Sequence, residues 1–378
     1  MKPESIVDFG EMPVYMGCVS TPEVNDVNWS MEWGINPNGL LTVLNPPPLA
    51  LVYPEQHSDP TNSSLWMRHH HSLASFIASI AESQDVLEIG AAHGILSEIV
   101  SSEHPGRFNW VIVEPNPTNV DRTSVRIIRG WFPEALVDER ASWPVIVSSH
   151  VLEHALDPIK FVRDCNLSQP VGGQLILSWP DMQKMAERTD LNMLNFEHLH
   201  YLPSTIVIKI LELSGYEVEE FREFEGHSVF LSAKKTNESL SLLTEESLTT
   251  NASELAELSV RYKRTLESTV KKFNDAMRDW EGDIWLFGAH IFTQYLIAGG
   301  LELSRAVGIL DNAKSKHGLR LYGTNLLVHS PSELSGKSDQ LILLAAALYE
   351  EEIIAQLKTI ELSESVVFSS LAGRVTLS

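Results

Sequence analysis

Cysteine is almost absent: Cys18 and Cys165 are the only two in 378 residues. Two thiols so far apart exclude a disulfide framework and a four-cysteine zinc site, and they suit a reducing cytoplasm. Basic residues are scarce too, with 28 Lys and Arg against 50 Asp and Glu and a formal net charge of −22. That deficit argues against long tracks on DNA or RNA, whose binding rests on cations at phosphates. No apolar run approaches the ~18 residues of a membrane span; the longest, Leu341 to Leu348, is strand-sized. Met1-Lys2-Pro3-Glu4-Ser5 has no apolar stretch of the signal-peptide kind, so a cytoplasmic protein off the membrane is expected. What the chain does have is 43% hydrophobic and 21% charged residues. That balance supports a buried core, and the length predicts two or three domains.

The first ~60 residues read as irregular, with short strands expected at Gly39–Leu44 and Leu49–Val52. From Ser64, Leu65, Leu73, Phe76, Ile77 and Ile80 recur at helical spacing. Strands then read at Asp85–Ile89, Trp110–Val113, Arg126–Ile128, Pro144–Ser148 and Gln174–Ser178, with helices near Ile95–Ser102 and Phe161–Cys165. Such alternation predicts βαβ units and a doubly wound, mostly parallel sheet. Ser204–Ser214 reads as a helix with Ser204 as N-cap and Gly215 as stop, followed by an antiparallel pair, Val218–Phe224 and Ser228–Ala233. Asn237–Asn251 is a Ser/Thr/Glu-rich linker, and Ser253–Trp280 a long helix with one apolar stripe, expected to pack between domains, with a self-associating coiled coil as the alternative. From Asp283 a second α/β pattern starts, with strands at Ile284–Phe287, Ala306–Leu310, Leu326–Val328 and Gln340–Leu344. The expected fold class is α/β: a Rossmann-like domain preceded by an irregular N-terminal segment and followed by a second, smaller Rossmann-like α/β domain.

The sharpest motif is Glu88-Ile89-Gly90-Ala91-Ala92-His93-Gly94, which leaves an apolar strand and opens a helix. Gly90 allows a tight turn, and Gly94 allows close approach to a ligand. Free N–H groups of the turn, Ala91 included, meet the helix N-terminus there. Glu114 closes the next strand, where a carboxylate can accept hydrogen bonds from ribose hydroxyls. The two together predict a nucleoside-containing ligand at the strand ends. The E-x-G-x-x-x-G spacing differs from the dinucleotide G-x-G-x-x-G.

With VLEIGAAHG (Val86–Gly94), VIVEPNP (Val111–Pro117) and SSHVLEHALDP (Ser148–Pro158), the chain resembles the class I S-adenosylmethionine-dependent methyltransferases. The resemblance implies S-adenosyl-L-methionine as cofactor. It places Glu88 near the methionine amino group, Gly90, Ala91 and Gly94 around the cofactor, Glu114 on its ribose, and Ser149 and His150 along the methionine part. It implies a methyltransferase domain over residues 64–236, between an N-terminal segment (1–63), a linker with the long helix (237–282) and a C-terminal α/β domain (283–378).

His150-Val151-Leu152-Glu153-His154 also matches H-x-x-E-H, a metalloprotease pattern. Zinc ligation by that pattern needs both histidines on one helix face. His150 is expected at a strand end instead, so no metal is expected. His69-His70-His71 is read as part of a helix surface, since successive residues point in different directions.

Downstream, Asn195-Phe196-Glu197-His198-Leu199-His200-Tyr201 is expected on the carboxyl side of the sheet. A histidine beside a carboxylate is an accessible general base near neutral pH; the alternative is that Glu197 and His198 brace the next helix. Here the chain resembles the bacterial sugar C-methyltransferases, along nearly its whole length. The matching stretches include VDFGEMPV (Val7–Val14), MRHHHSLASFI (Met67–Ile77), LFGAHIFTQYLI (Leu286–Ile297) and VGILDNAKSKHGLRLYGT (Val307–Thr324). The resemblance implies His198 as the base that takes a proton beside a ketone, with Glu197 orienting it, His57 facing the sugar, and the C-terminal domain helping to hold a nucleotide-linked sugar. In that domain Gly288, His290 and Asp311 fall at strand ends.

The chain departs from the family in three ways. It lacks the cysteine-rich zinc module at the N-terminus, Asn195-Phe196 replaces a Tyr-His pair, and His57 stands where a tyrosine is common. The substrate is therefore read as a small molecule, with a nucleotide-linked keto sugar preferred. O- or N-methylation of a natural-product or glycan intermediate, and cofactor or sugar-nucleotide binding without turnover, stay open.

Overall fold

A computed structural model describes residues 4–53, 64–117, 125–137, 142–236, 248 and 252–377. His57 and the Asn237–Asn251 linker, except Leu248, lie outside the described residues. No helix among the described residues is long and apolar enough to cross a membrane.

The N-terminal segment carries more order than its sequence suggested. Strands β1 (Glu4–Pro13), β3 (Asn28–Ile35) and β4 (Leu41–Leu44) form an antiparallel sheet in the order β1-β3-β4, and β2 (Cys18–Val19) lies between them in sequence. Phe9, Met31 and Trp33 are buried. The expected strand at Leu49–Val52 is instead a helical turn, α1 (Leu49–Val52), entered from Pro48. Pro46-Pro47-Pro48 offers no N–H groups to a ladder, and its fixed φ suits a helix entry.

Helix α2 (Ser64–Ile80) leads into the central sheet. Its elements are β5 (Asp85–Ile89), α3 (Ile95–Glu103), β6 (Asn109–Glu114), β7 (Arg126–Arg129), β8 (Val145–Ser149), α4 (Pro158–Leu167), β9 (Gln174–Pro180), α5 (Met182–Arg188), α6 (Ser204–Leu213), β10 (Tyr216–Phe224) and β11 (Ser228–Lys235). The seven strands run in the order β10-β11-β9-β8-β5-β6-β7. β5 to β9 are parallel, and β11 pairs antiparallel with both β9 and β10. The chain moves outward from β5 through β6 to β7, then returns to place β8 on the other side of β5. That reversal opens a crevice at the carboxyl ends of β5 and β8, where such sheets bind ligands. The sheet is thus the expected Rossmann-like methyltransferase fold. Helix α6 is capped by Pro203, with Ser204 as its first helical residue, one position from the expected cap.

Helix α7 (Ala252–Arg278) buries Leu255, Tyr262, Leu266, Phe273 and Met277 along one stripe and packs on β1 and on α8 (Ile291–Ala298). Around α8 lies a second sheet of β12 (Asp283–Phe287), β13 (Ala306–Leu310), β15 (Val328–His329), β16 (Gln340–Leu344), β17 (Val366–Ser369) and β18 (Gly373–Thr376), with α9 (Glu350–Leu357) between β16 and β17. Its order is β15-β13-β12-β16-β17-β18, parallel except for β18. β14 (Arg320–Leu321) leaves this region and pairs with β2.

One continuous apolar cluster includes Trp33, Trp179, Leu202, Tyr262, Tyr295 and Leu321, and so joins the N-terminal sheet, one face of the central sheet, α7 and the C-terminal unit. The edge of β4 also holds the stretch after α5. Val43 N–H donates to Leu199 O at 2.8 Å, and Tyr201 N–H donates to Leu41 O at 2.9 Å.

Candidate active site

The glycine turn forms as its sequence demands. Gly90 has φ +76° and donates its N–H to Val113 O at 3.0 Å. A Cβ at Gly90 would lie 2.4 Å from Val151 Cγ2, so only glycine lets the turn pass under the loop after β8. Ala92 and Gly94 also take positive φ, and Gly94 caps α3. Glu114, at the end of β6, accepts from Ala92 N–H at 3.1 Å and from Asn116 N–H at 2.9 Å. Each carboxylate oxygen has a second lone pair for a ligand hydroxyl. The narrow glycine turn and this acidic strand end fit the ribose and methionine parts of S-adenosylmethionine.

Glu88 lies beneath the turn and is buried. Burial pushes its carboxyl up to about 7, against a lowering hydrogen bond from Trp110 Nε1 at 2.6 Å. Ser149 and His150 stand at the end of β8, half-buried. His150 has φ +54° and donates its N–H to Ser178 O at 2.8 Å. Its Nε2 faces Ser228 Oγ at 3.0 Å, and its Nδ1 lies 2.9 Å from Glu153 Oε1. Burial, then His227, holds this imidazole well below the usual range, so the ring is neutral.

His69-His70-His71 corrects the helix-surface expectation. His69 and His70 are buried, and only His71 is exposed, paired with Glu103 at 2.6 Å. His69 follows Leu65 by four residues and precedes Leu73 by four, so it belongs to the inward stripe of α2. Its Nε2 faces Ser178 Oγ at 3.0 Å. Trp66 sits among His69, His70, His150 and His227, with ring centroids 5.2, 5.8, 4.6 and 4.9 Å away.

The loop after β8 then turns toward a second group. Leu152–His154 is a single 3-10 turn, so the H-x-x-E-H histidines are not arranged along an α-helix. His154 instead meets the stretch before α6. Its Nδ1 lies 2.9 Å from Glu197 O and 3.0 Å from Tyr53 Oη, and its ring centroid is 5.1 Å from that of His198. His198 Nδ1 faces Asn192 O at 3.2 Å. A carbonyl only accepts, so Nδ1 carries the hydrogen and Nε2 is the basic nitrogen. Asn195 Oδ1 accepts the N–H groups of Glu197 and His198 at 2.8 and 2.9 Å, which fixes this loop.

The carboxylate beside His198 is not Glu197. Glu153, His154 and His198 present ligand-type atoms all within 4.8 Å of one another. Glu197 contributes its backbone carbonyl to His154, and burial pushes its own carboxyl up to about 8. Its negative form would also raise the Tyr53 phenol, which burial already lifts well above its usual range. The residues that sequence reasoning missed are therefore Tyr53, Glu153 and His154. His154 and Glu153 lay inside a quoted motif, but their partners are distant in the chain.

The family model described as "Methyltransferase domain" matches residues 64–220. The chain is similar to a probable S-adenosylmethionine-dependent methyltransferase of Mycolicibacterium smegmatis, 26% identical over 166 residues, covering 41% of this chain and 60% of that protein. A protein of the same description from Mycobacterium tuberculosis is 26% identical over 157 residues, covering 39% and 54%. The chain thus spans little more than half the length of these relatives. Among solved structures, an O-methyltransferase family protein from Burkholderia thailandensis aligns with TM-score 0.38 and 15% identity over 45% of this chain and 57% of that one. The matched segment holds the glycine turn, Glu114 and the loop carrying Glu153 and His154. Residues 64–220 thus match a methyltransferase domain, and S-adenosylmethionine is the cofactor for which the relatives are named.

Proposed function

We propose that the chain methylates a carbon next to a carbonyl in a small-molecule acceptor, with a nucleotide-linked keto sugar as the preferred class. One observation carries the reading: His198 turns a basic Nε2 away from Asn192 O, within a cluster formed with Glu153 and His154 on the loop that follows β8. When bound in the crevice, S-adenosylmethionine supplies an electrophilic methyl group on a good leaving group, so the chain need only position the acceptor and remove one proton. His198 Nε2 takes the proton. His154, held by Glu197 O and Tyr53 Oη, faces the same space and can orient an acceptor oxygen. Glu197, protonated near neutral pH, can donate a hydrogen bond.

Two parts of the chain meet at this cluster: Tyr53 from the end of α1, which reaches His154, and His198 from the central unit. Several polar groups thus stand beside the base, which supports an acceptor with more than one oxygen, such as a sugar. In this reading the segment that carries Tyr53 lies on the acceptor side, and His57 remains a candidate contact.

The test is solvent exchange. Incubated in deuterium oxide with a panel of nucleotide-linked keto sugars, the protein should exchange the proton beside the ketone. His198→Gln should slow exchange and methyl transfer by roughly 10²–10⁴-fold. Methyl transfer that survives in His198→Gln would instead establish O- or N-methylation. Cofactor binding without turnover across the panel would make the chain a binding protein.

A further inference from the structure

Glu153 is fully buried, and neither of its carboxylate oxygens makes a hydrogen bond. A carboxylate in that condition is costly unless positive charge offsets it. It lies against three imidazoles. His150 Nδ1 is 2.9 Å from Oε1, close enough for charge but off the line of a hydrogen bond. His154 and His198 bring ring nitrogens within 4.8 Å.

We propose that Glu153 is the positioning residue that makes His198 a base: its carboxylate is the counter-ion for the imidazolium formed when His198 takes the acceptor's proton. The inference rests on the carbon-methylation reading. In the step the acceptor C–H bond breaks and an N–H bond forms on His198 Nε2. The C–H electron pair passes to the carbonyl as an enolate. A neutral ring and a neutral ketone thereby become a cation and an anion, and Glu153 already stands beside the cation.

The electrostatics favour Glu153 over Glu197 for this role. Burial raises the Glu153 carboxyl, but His154 and His198 pull it back. Burial lowers the His198 imidazole, and Glu153 is the largest influence raising it. Each charge is unfavourable alone and favourable with the other, so the two titrate as a pair. The other titratable groups facing the pair are His150 and His154 from the same loop, Glu197 beside the base, Tyr53 from the end of α1, and His290 from α8. His290 opposes protonation of His198. It is itself brought down to about 4 by burial and Lys316, against Asp311, and so is neutral at pH 7.

The spacing of Glu153, His154 and His198 would also suit a divalent cation. A ligated Nε2 could not accept a proton, so base and metal site are mutually exclusive at His198.

The test reads His198 directly and needs no acceptor. The full chain, labelled with ¹³C at histidine Cε1, is titrated by NMR, and the His198 signal is assigned from His198→Gln. In Glu153→Gln, of equal shape without charge, the His198 pKa should fall by about one unit or more. Glu153→Asp, which withdraws the charge by one carbon, should give a smaller fall, and it keeps the question answerable if Glu153→Gln does not melt cooperatively. An unchanged His198 titration in a folded Glu153 variant overturns the inference. So does a stoichiometric divalent metal found by elemental analysis and lost in Glu153→Gln. If the pKa falls as expected but the wild type exchanges no acceptor proton, the counter-ion assignment stands and carbon methylation fails.

Discussion

The two mostly parallel sheets repeat one device with opposite outcomes. In the central sheet, Gly90 leaves β5 with positive φ and donates to Val113 O, while Glu114 accepts from Ala92 N–H and Asn116 N–H. In the C-terminal sheet, Gly288 leaves β12 with φ +104° and donates to Leu310 O at 2.8 Å. There Asp311 accepts from Ala289 N–H at 2.9 Å and Ala313 N–H at 2.8 Å. The strand-end bonds of the two frames match, although the turn N–H that the acid accepts lies two residues past Gly90 and one past Gly288. They differ in what comes next. Residues 90–94 connect β5 to α3, but only residues 288–290 connect β12 to α8. Lys316 is buried, and its Nζ donates to Asp311 Oδ2 at 3.0 Å and to Ala289 O at 3.1 Å. The strand-end acid that meets only backbone N–H groups among the described contacts of one unit is closed by the chain's own ammonium in the other. A glycine turn with an acidic strand end is therefore not enough to mark a nucleoside site; the acid must also be free of an internal cation.

Exchanging the two acids separates these roles most sharply. Asp311→Ala leaves a buried lysine without its partner and should cost about 3–5 kcal/mol of stability, read as a lower denaturant midpoint, with affinity for S-adenosylmethionine unchanged. Glu114→Ala should do the reverse. It should weaken cofactor binding by about 1–3 kcal/mol, tenfold or more, in calorimetry. Loss of cofactor affinity in a folded Asp311→Ala protein would show that the second unit binds the cofactor too.

The glycines give a smaller version of the same contrast. At Gly90 a methyl group meets Val151 at 2.4 Å and the backbone is left-handed, so Gly90→Ala must displace the loop that carries His150 and Glu153. Cofactor affinity and methyl transfer should both fall. A Cβ at Gly288 meets nothing within 4 Å. Gly288→Ala then bears only backbone strain, about 1–3 kcal/mol, and should lower the melting temperature with cofactor binding intact. Equal losses of binding in both variants would erase the distinction.

What the sequence revealed follows the range of the interactions concerned. The strands, the glycine turn and Glu114 were legible because alternation, spacing and turn chemistry are local. Two features were missed although their signals were present. His69 sits at the helical interval between Leu65 and Leu73, which already placed it on the buried stripe of α2. Trp29, Met31 and Trp33 alternate as a half-buried strand should, and they lie in β3. The carboxylate partner of His198 was not legible at all. Glu197 is adjacent in sequence, but the two residues sit in a bend closed by Asn195, and tertiary packing delivers Glu153 from another loop. Tyr53 and His154 meet for the same reason, through β4 holding the segment around Leu199.

The smallest effect is in acid, where the two units should behave alike. His227, between β10 and β11, and His290, before α8, are each lowered from 6.5 to about 4, chiefly by burial. In the unfolded chain both would take a proton near pH 6.5, and in the folded chain only near pH 4. The folded state therefore binds fewer protons across that interval. The stability these neutral rings contribute is complete above pH 6.5 and is lost as pH falls toward 4. Melting temperature measured from pH 7.5 down to 4 should decline over that interval. His227→Gln and His290→Gln should each flatten the decline in part, since His69 and His150 are lowered by burial as well. A decline left unchanged by His290→Gln but flattened by His227→Gln would mean that the C-terminal ring is already charged in the folded state. Since burial is the larger cause of the lowered His290 range and Lys316 the smaller, that outcome would mean that the turn before α8 is more open to water than the glycine turn of the central sheet.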